Sequence, residues 1–208
     1  MNCIAVELRH VASGAWRAAE LYSPAREVDR DDFESLWQPL FEQRRAELKP
    51  QSVDEMASYD LQDMHWEWRR KTAHRSSYLR SFAIACDGHT QGLMLVSLDP
   101  LKVSRAPGQE GRGLVYVELI ATAPWNRPRL IGAARYKGVG RIFLSAAISL
   151  SVEEECGGRI GLHALPQSES WYQGTCQMTD LGTDNTYYPD YPLRYFEMTE
   201  VQARAFVS

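Results

Sequence analysis

Residues Arg135 to Arg141, RYKGVGR, combine two glycines with three cations. Gly138 and Gly140 allow left-handed backbone and let a ligand come close to the main chain, while Arg135, Lys137 and Arg141 attract an anion. The segment opens an apolar run from Val139 to Cys156, with Ile142, Phe143, Ala146, Ala147 and Leu150 as an inner stripe. That pattern predicts a buried helix, ending at a Gly157-Gly158 cap. A helix start presents amides with no acceptor inside the helix and about half a positive charge, so a phosphate group is its natural ligand. A plain glycine turn with solvated cations is the alternative reading.

Two nucleotide motifs fail on spacing. A Walker loop requires Lys and Ser or Thr after its second glycine, whereas Lys137 precedes Gly138 and Val139 follows it. A dinucleotide fingerprint requires a third glycine where Phe143 stands.

The charge distribution supports a small anionic ligand. The chain has 23 cations against 27 acids, a net charge of -4, which argues against broad nucleic-acid binding. No acid lies between Glu118 and Glu153, and Arg127, Arg129, Arg135, Lys137 and Arg141 fall inside that gap. The remaining residues carry 18 minus 27, or -9. Cys3, Cys86, Cys156 and Cys176 form no C-x-x-C pair, so neither a zinc knuckle nor a disulfide framework is indicated, and no metal is expected.

The surrounding elements fit one globular domain spanning 1–208: the 208 residues are 44% hydrophobic and 24% charged. The N-terminus lacks a basic segment followed by an apolar run, and nothing approaches the roughly 18 apolar residues of a membrane span. A soluble, cytoplasmic protein without membrane contact is expected. CIAVELR reads as a strand and WRAAELY as a strand or short helix. Phe33, Leu36, Trp37, Leu40 and Phe41 predict a helix over Asp31 to Leu48, bent or divided at Pro39. Ser52 and Glu55 mark the start of a second helix reaching about Arg75. YLRSFAIAC, GLMLVSL and GLVYVELIATA predict a three-strand meander. After the glycine-opened helix come a strand, RIGLHAL, a short helix, SESWYQGTCQM, and a last strand, RYFEMT. A helix between the fourth and fifth strands implies a parallel crossover in a mainly antiparallel sheet.

Arg135-x-x-Gly138-x-Gly140 resembles the R/Q-x-x-G-x-G/A signature of the GNAT superfamily, the acyl-CoA-dependent N-acyltransferases. The resemblance runs from Leu114 to about Met178 and includes ESWYQG, which is similar to the family's tyrosine-bearing region, with Tyr172 at the tyrosine position. It implies an α+β GNAT-like fold whose strands 4 and 5 splay apart between flanking helices. It also implies acetyl-CoA, or another acyl-CoA, as cosubstrate and an amine of a small molecule or protein as acceptor. Val139, Gly140 and Arg141 would hold the pyrophosphate, Arg135, Lys137 and Gly138 would shape the cradle, and backbone near Ile120, Ala121 and Thr122 would pair with pantetheine. An amide near Ile120 or Ala121 would stabilise the oxyanion.

Direct transfer to a protonated amine needs a base, and the departing thiolate benefits from an acid. Glu118, the last acid before the gap, is the candidate base, and Tyr172 is the acid that the resemblance implies. His163 reads as a core or supporting histidine, and Cys176 has no spacing to a triad partner. His65, Trp66 and Trp68 offer either acceptor contacts or core packing. The loop from Pro124 to Ala134 is longer than the family's connection, and the usual asparagine is not evident in LPQSES. These departures motivate an alternative, a catalytically silent GNAT-fold module that binds CoA or a protein partner.

Overall fold

The structure, a computed structural model, describes residues 2–73, 76–184 and 191–208. It opens with strands β1 (Asn2–His10) and β2 (Trp16–Ser23), followed by helices α1 (Glu27–Asp32), α2 (Gln38–Leu48), α3 (Val53–Ser58) and α4 (Trp68–Ala73). Strands β3 (Leu79–Cys86), β4 (His89–Ser97) and β5 (Val115–Thr122) come next, then helix α5 (Pro128–Ile131), strand β6 (Tyr136–Lys137) and helix α6 (Val139–Glu153). Strands β7 (Ile160–Ala164), β8 (Thr179–Asp184) and β9 (Leu193–Met198) precede helix α7 (Glu200–Val207).

The fold is α+β, with a mixed nine-stranded sheet paired in the order β6-β1-β2-β3-β4-β5-β7-β9-β8. β7 runs parallel to β5 and antiparallel to β9, as a helical crossover through α6 requires. Backbone contacts divide the chain into two compact units, Met1–Leu95 with Leu119–Phe143 and Val96–Glu118 with Leu144–Ser208.

In the first unit, WRAAELY is a strand: Ala19 and Leu21 are buried at a spacing of two, the period of a pleated chain. Asp87 and Gly88 take positive φ, 50° and 80°, and turn β3 into β4. The helical run begins at Glu27 rather than Asp31 and meets Pro39 through a π turn over Phe33–Trp37, in which the Gln38 N–H bonds the Phe33 carbonyl. The widened turn continues the helix past a residue with no N–H to donate. Phe33, Trp37, Phe41, Leu61, Trp68 and Leu93 form the centre of this unit's core. Burying each such side chain stabilises by about 1.5–3 kcal/mol.

The helix expected from Ser52 to Arg75 is two short helices. Ser52 caps α3 by accepting from the Glu55 N–H, but the chain leaves the helix at Asp60, whose φ is 57°. Arg75 lies outside the described residues.

In the second unit, α6 ends earlier than the Gly157-Gly158 signal implies. Glu155 takes the left-handed position at φ 58°, and the Cys156 N–H bonds the Ser151 carbonyl at 2.7 Å. The two glycines lie beyond that cap. A short 3-10 turn, Pro166–Ser168, leads into SESWYQGTCQM, which forms a π turn over Trp171–Thr175. Two elements here were not read from the sequence. β8, TDLGTD, has no apolar alternation, whereas α7 carries a legible signal: Thr199 and Gln202 form a reciprocal capping box.

Candidate functional site

The first hydrogen bond of α6 runs from the Ile142 N–H to the Gly138 carbonyl, 3.0 Å. The amides of Val139, Gly140 and Arg141 precede it and have no acceptor within the helix. Gly138 lies at φ 109°, a conformation that side chains disfavour, and it is exposed together with Arg135, Lys137 and Arg141. Val139 is buried and Gly140 half-buried. The turn is therefore open on its cationic face and anchored on its apolar one.

That anchoring depends on Gly92 of β4. A Cβ there would lie 2.5 Å from both Phe143 Cε2 and Val139 Cγ1, so only glycine lets the first turn of α6 sit this close to the strand.

The approach to the α6 turn, from Ala123 to Lys137, is tied down by the buried side chain of Gln91. Its amide oxygen accepts from Trp125 Nε1 at 2.8 Å and Asn126 Nδ2 at 3.1 Å, while its Nε2 donates to the Cys86 and His89 carbonyls, each at 3.1 Å. Its backbone carbonyl accepts from the Ala123 N–H at 2.9 Å. Asn126 Oδ1 then accepts from the Tyr136 N–H at 2.9 Å, and β6 pairs with Arg9 and His10 of β1. Burial, and after it the hydrogen bond to Asp87, makes the Tyr136 hydroxyl less acidic than an ordinary phenol. Arg135 lies over the Trp125 ring, 5.8 Å from its centroid.

The basic segment does not act as one anion-binding group. Arg127 is buried and donates to both Asp63 oxygens, at 2.5 and 2.7 Å, and Arg129 pairs with Asp60 at 2.8 Å. A buried charge persists when paired, as Arg127 is, while Arg129 makes its ion pair on the exposed side of the same loop. Arg135, Lys137 and Arg141 remain as the cations of the turn.

The parallel ladder between β5 and β7 comprises Val115–Ile160, Tyr116–Gly161 and Val117–Leu162. β5 runs on through Thr122, so its last five residues, Glu118–Thr122, lie beyond the last partner on β7. Ala121 is buried, and Ile120 and Thr122 are half-buried. The Thr122 carbonyl accepts from Arg127 Nε and Nη2, at 2.9 and 2.7 Å. Of the three expected pantetheine partners, Thr122 thus offers only its amide.

Glu118 is exposed on β5. Tyr172 is buried in the π turn, its ring 5.0 Å from Trp171 and 6.0 Å from Phe196, and its carbonyl accepts from the Met178 N–H at 3.0 Å. Trp68 belongs to the core, and among the described residues its indole nitrogen and that of Trp37 have no hydrogen-bond partner. His65 is exposed and Trp66 is half-buried against that core.

His163 is more than a core residue. Its Nδ1 lies 2.5 Å from the Tyr116 hydroxyl and its Nε2 lies 3.1 Å from Asp184 Oδ2, which also accepts from Arg105 Nη2 at 2.6 Å. The His163 side chain is 3% exposed and that of Asp184 7%. Burial lowers the basicity of the imidazole, against the opposing pull of the carboxylate.

No protein-family model and no curated protein sequence matches the chain. Solved structures do match over nearly its whole length. FeeM, an N-acyl amino acid synthase from uncultured soil microbes, aligns with TM-score 0.55 at 11% identity, covering 91% of this chain and 95% of its own. Aminoglycoside acetyltransferase AAC(6')-Ib, solved in complex with coenzyme A and kanamycin, aligns with TM-score 0.50 at 16% identity, covering 90% and 100%. An acetyltransferase from Streptococcus agalactiae gives TM-score 0.51 at 13% identity, covering 86% and 96%. The chain has the fold of the GNAT superfamily. Among the described residues, no helix is long and apolar enough to cross a membrane, and no group of three or more His, Cys, Asp and Glu could hold a metal ion.

Proposed function

We propose that the protein is an N-acyltransferase of one catalytic domain, acting in the cytoplasm, that moves an acyl group from acyl-CoA, acetyl-CoA first among them, directly to an amine. The observation that carries this reading is the end of the β5–β7 ladder at Val117–Leu162, beyond which β5 runs on from Leu119 to Thr122 without a ladder partner on β7. An extended pantetheine arm can pair with such an edge as a strand would. The glycine-opened turn of α6 complements it: the amides of Val139, Gly140 and Arg141 take the pyrophosphate, with Arg135, Lys137 and Gly138 shaping the surroundings. The complex of AAC(6')-Ib with coenzyme A and kanamycin, on the same fold, supports acyl-CoA and an amine as the two substrates.

In the reaction, Glu118 takes the first proton from the incoming ammonium, directly or through water. The freed amine attacks the thioester, the amides of Ile120 or Ala121 receive the oxyanion, and Tyr172 protonates the departing thiolate. A thermal-shift titration with acetyl-CoA, followed by a panel of amines scored for CoA release, tests the reading. Stabilisation together with release for at least one amine is the expected result. Stabilisation without release for any amine would instead favour a silent binding module, and the burial of Tyr172 is the feature that would fit it.

A further inference from the structure

Where the β5–β7 ladder ends, a chain of polar side chains begins. Tyr116 stands one residue before the last paired position of β5, and His163 one residue after the last paired position of β7. Their hydrogen bond is thus made where the two strands part. We propose that Tyr116, His163 and Asp184 form a proton relay that takes the second proton of the amine during acyl transfer. The inference rests on the N-acyltransferase reading above and adds to it a role that Glu118 and Tyr172 do not fill.

Acyl transfer from a thioester to an ammonium removes two protons from nitrogen. One must leave before attack; the other leaves after the N–C bond has formed, when the nitrogen carries a positive charge. An exposed carboxylate such as Glu118 suits the first, because it exchanges with water. The second must go quickly to a group held in place, before the intermediate reverts to reactants.

The hydrogen-bond pattern sets the direction of the relay. Asp184 is paired with Arg105, 2.6 Å away, so it is an ionised carboxylate and only accepts hydrogen bonds. The hydrogen between it and His163 therefore lies on Nε2. Burial favours the neutral imidazole, which carries one N–H, so Nδ1 is bare and accepts from the Tyr116 hydroxyl at 2.5 Å. The chain is poised to move a proton from Tyr116 onto His163 while Tyr116 Oη takes one from the amine nitrogen. Asp184 then faces an imidazolium, and the ion pair stabilises it.

The groups packed around the imidazole fit this role. Tyr195 of β9 lies 4.7 Å from it, ring to ring, and fixes its plane. Arg105 and Lys102 oppose a positive charge on His163, Arg105 lying over the Tyr195 ring at 4.2 Å and Lys102 over the Tyr116 ring at 4.3 Å. They keep the imidazole neutral at rest and press it to give the proton up afterwards.

The atoms balance. The N–C bond forms and the C–S bond breaks; the second amine proton resides on His163; the sulfur takes its proton from Tyr172. After the products leave, His163 returns its proton to water by way of Tyr116, and Tyr172 recovers one from water.

The test compares wild type with His163→Gln, Tyr116→Phe and the double variant, using acetyl-CoA and the amine that turns over best in the panel. Each single change is expected to lower kcat by about 10²-fold or more with KM nearly unchanged. The double variant is expected to be no slower than the slower single, because both residues serve one step. The acid limb that His163 gives to the pH profile of kcat should disappear in His163→Gln. Melting curves report folding: if His163→Gln does not fold, Tyr116→Phe, which removes one oxygen, decides the matter. Wild-type turnover with undiminished variants, or effects on KM alone, overturns the relay and leaves the acyltransferase reading intact. A wild-type protein that transfers to no amine overturns that reading and the relay with it.

Discussion

Arg127 and Asp63 meet in a two-pronged ion pair with both side chains buried, at 5% and 4% exposure. The same guanidinium also donates to the Thr122 and Asp60 carbonyls, which joins the end of β5, the bend after α3 and the loop leading to the α6 turn. Removing one partner strands a charge. Arg127→Met is expected to destabilise by about 3–5 kcal/mol, read as a lower urea midpoint. Adding Asp63→Leu to Arg127→Met should recover part of the loss, and a further drop would show that the pair is not coupled as the geometry implies.

Gly92 sets how close α6 comes to the sheet. Gly92→Ala forces a methyl into Phe143 and Val139, and overpacking of this kind costs about 1–3 kcal/mol. The helix start should move away from β4 and take its amides out of position. Weaker acetyl-CoA binding by calorimetry, in a protein that still melts cooperatively, is the expected outcome.

Gly140→Asp puts a carboxylate at the start of α6, where negative charge favours the helix but repels a pyrophosphate. Folding should be preserved and CoA affinity lost. Affinity equal to wild type would remove the cradle from the site.

Tyr172→Phe separates chemistry from packing. If the hydroxyl supplies the thiolate proton, kcat falls while CoA affinity stays constant; equal turnover would leave Tyr172 as a packed ring beside Trp171 and Phe196. Glu118→Gln should lower kcat/KM most at low pH, where the amine is most fully protonated.

His163 also gives a pH signature in stability. Its value in the folded chain is lowered from the ordinary 6.5 by burial, so the unfolded chain takes up a proton at a higher pH than the folded one does. Stability is full above about 6.5 and declines as pH falls through that value toward the lower folded one. Urea midpoints measured across that interval should show the slope, and His163→Gln should flatten it.

The glycine-opened start of α6 was legible because its signals are local: two glycines, a cationic run and an apolar helix are contiguous in the sequence. The strands announced themselves through β-branched runs and the Asp87-Gly88 turn, and the parallel crossover followed from element order. What stayed hidden depends on pairs far apart in the chain. Arg127 and Asp63 are 64 residues apart, Tyr116 and His163 47, and His163 and Asp184 21. Nothing in RPRL says that Arg127 turns inward, so the sequence shows it only as one of five cations in an acid-free stretch. Gln91 sits in an apolar strand where a polar residue reads as noise, although a buried amide there needs several partners, and the loop supplies them. α3 parted from α4 because Asp60 adopts a left-handed turn beneath Arg127, a tertiary demand that overrode a continuous helical pattern.

The amide of Gln91 neither gains nor loses a proton in water. A carboxylate or imidazole in its place would have let the Ala123–Lys137 segment loosen or tighten with acidity; as built, that fastening is the same in acid and in base. A change of pH therefore leaves the Gln91 hydrogen bonds to Trp125, Asn126, Cys86 and His89 in place.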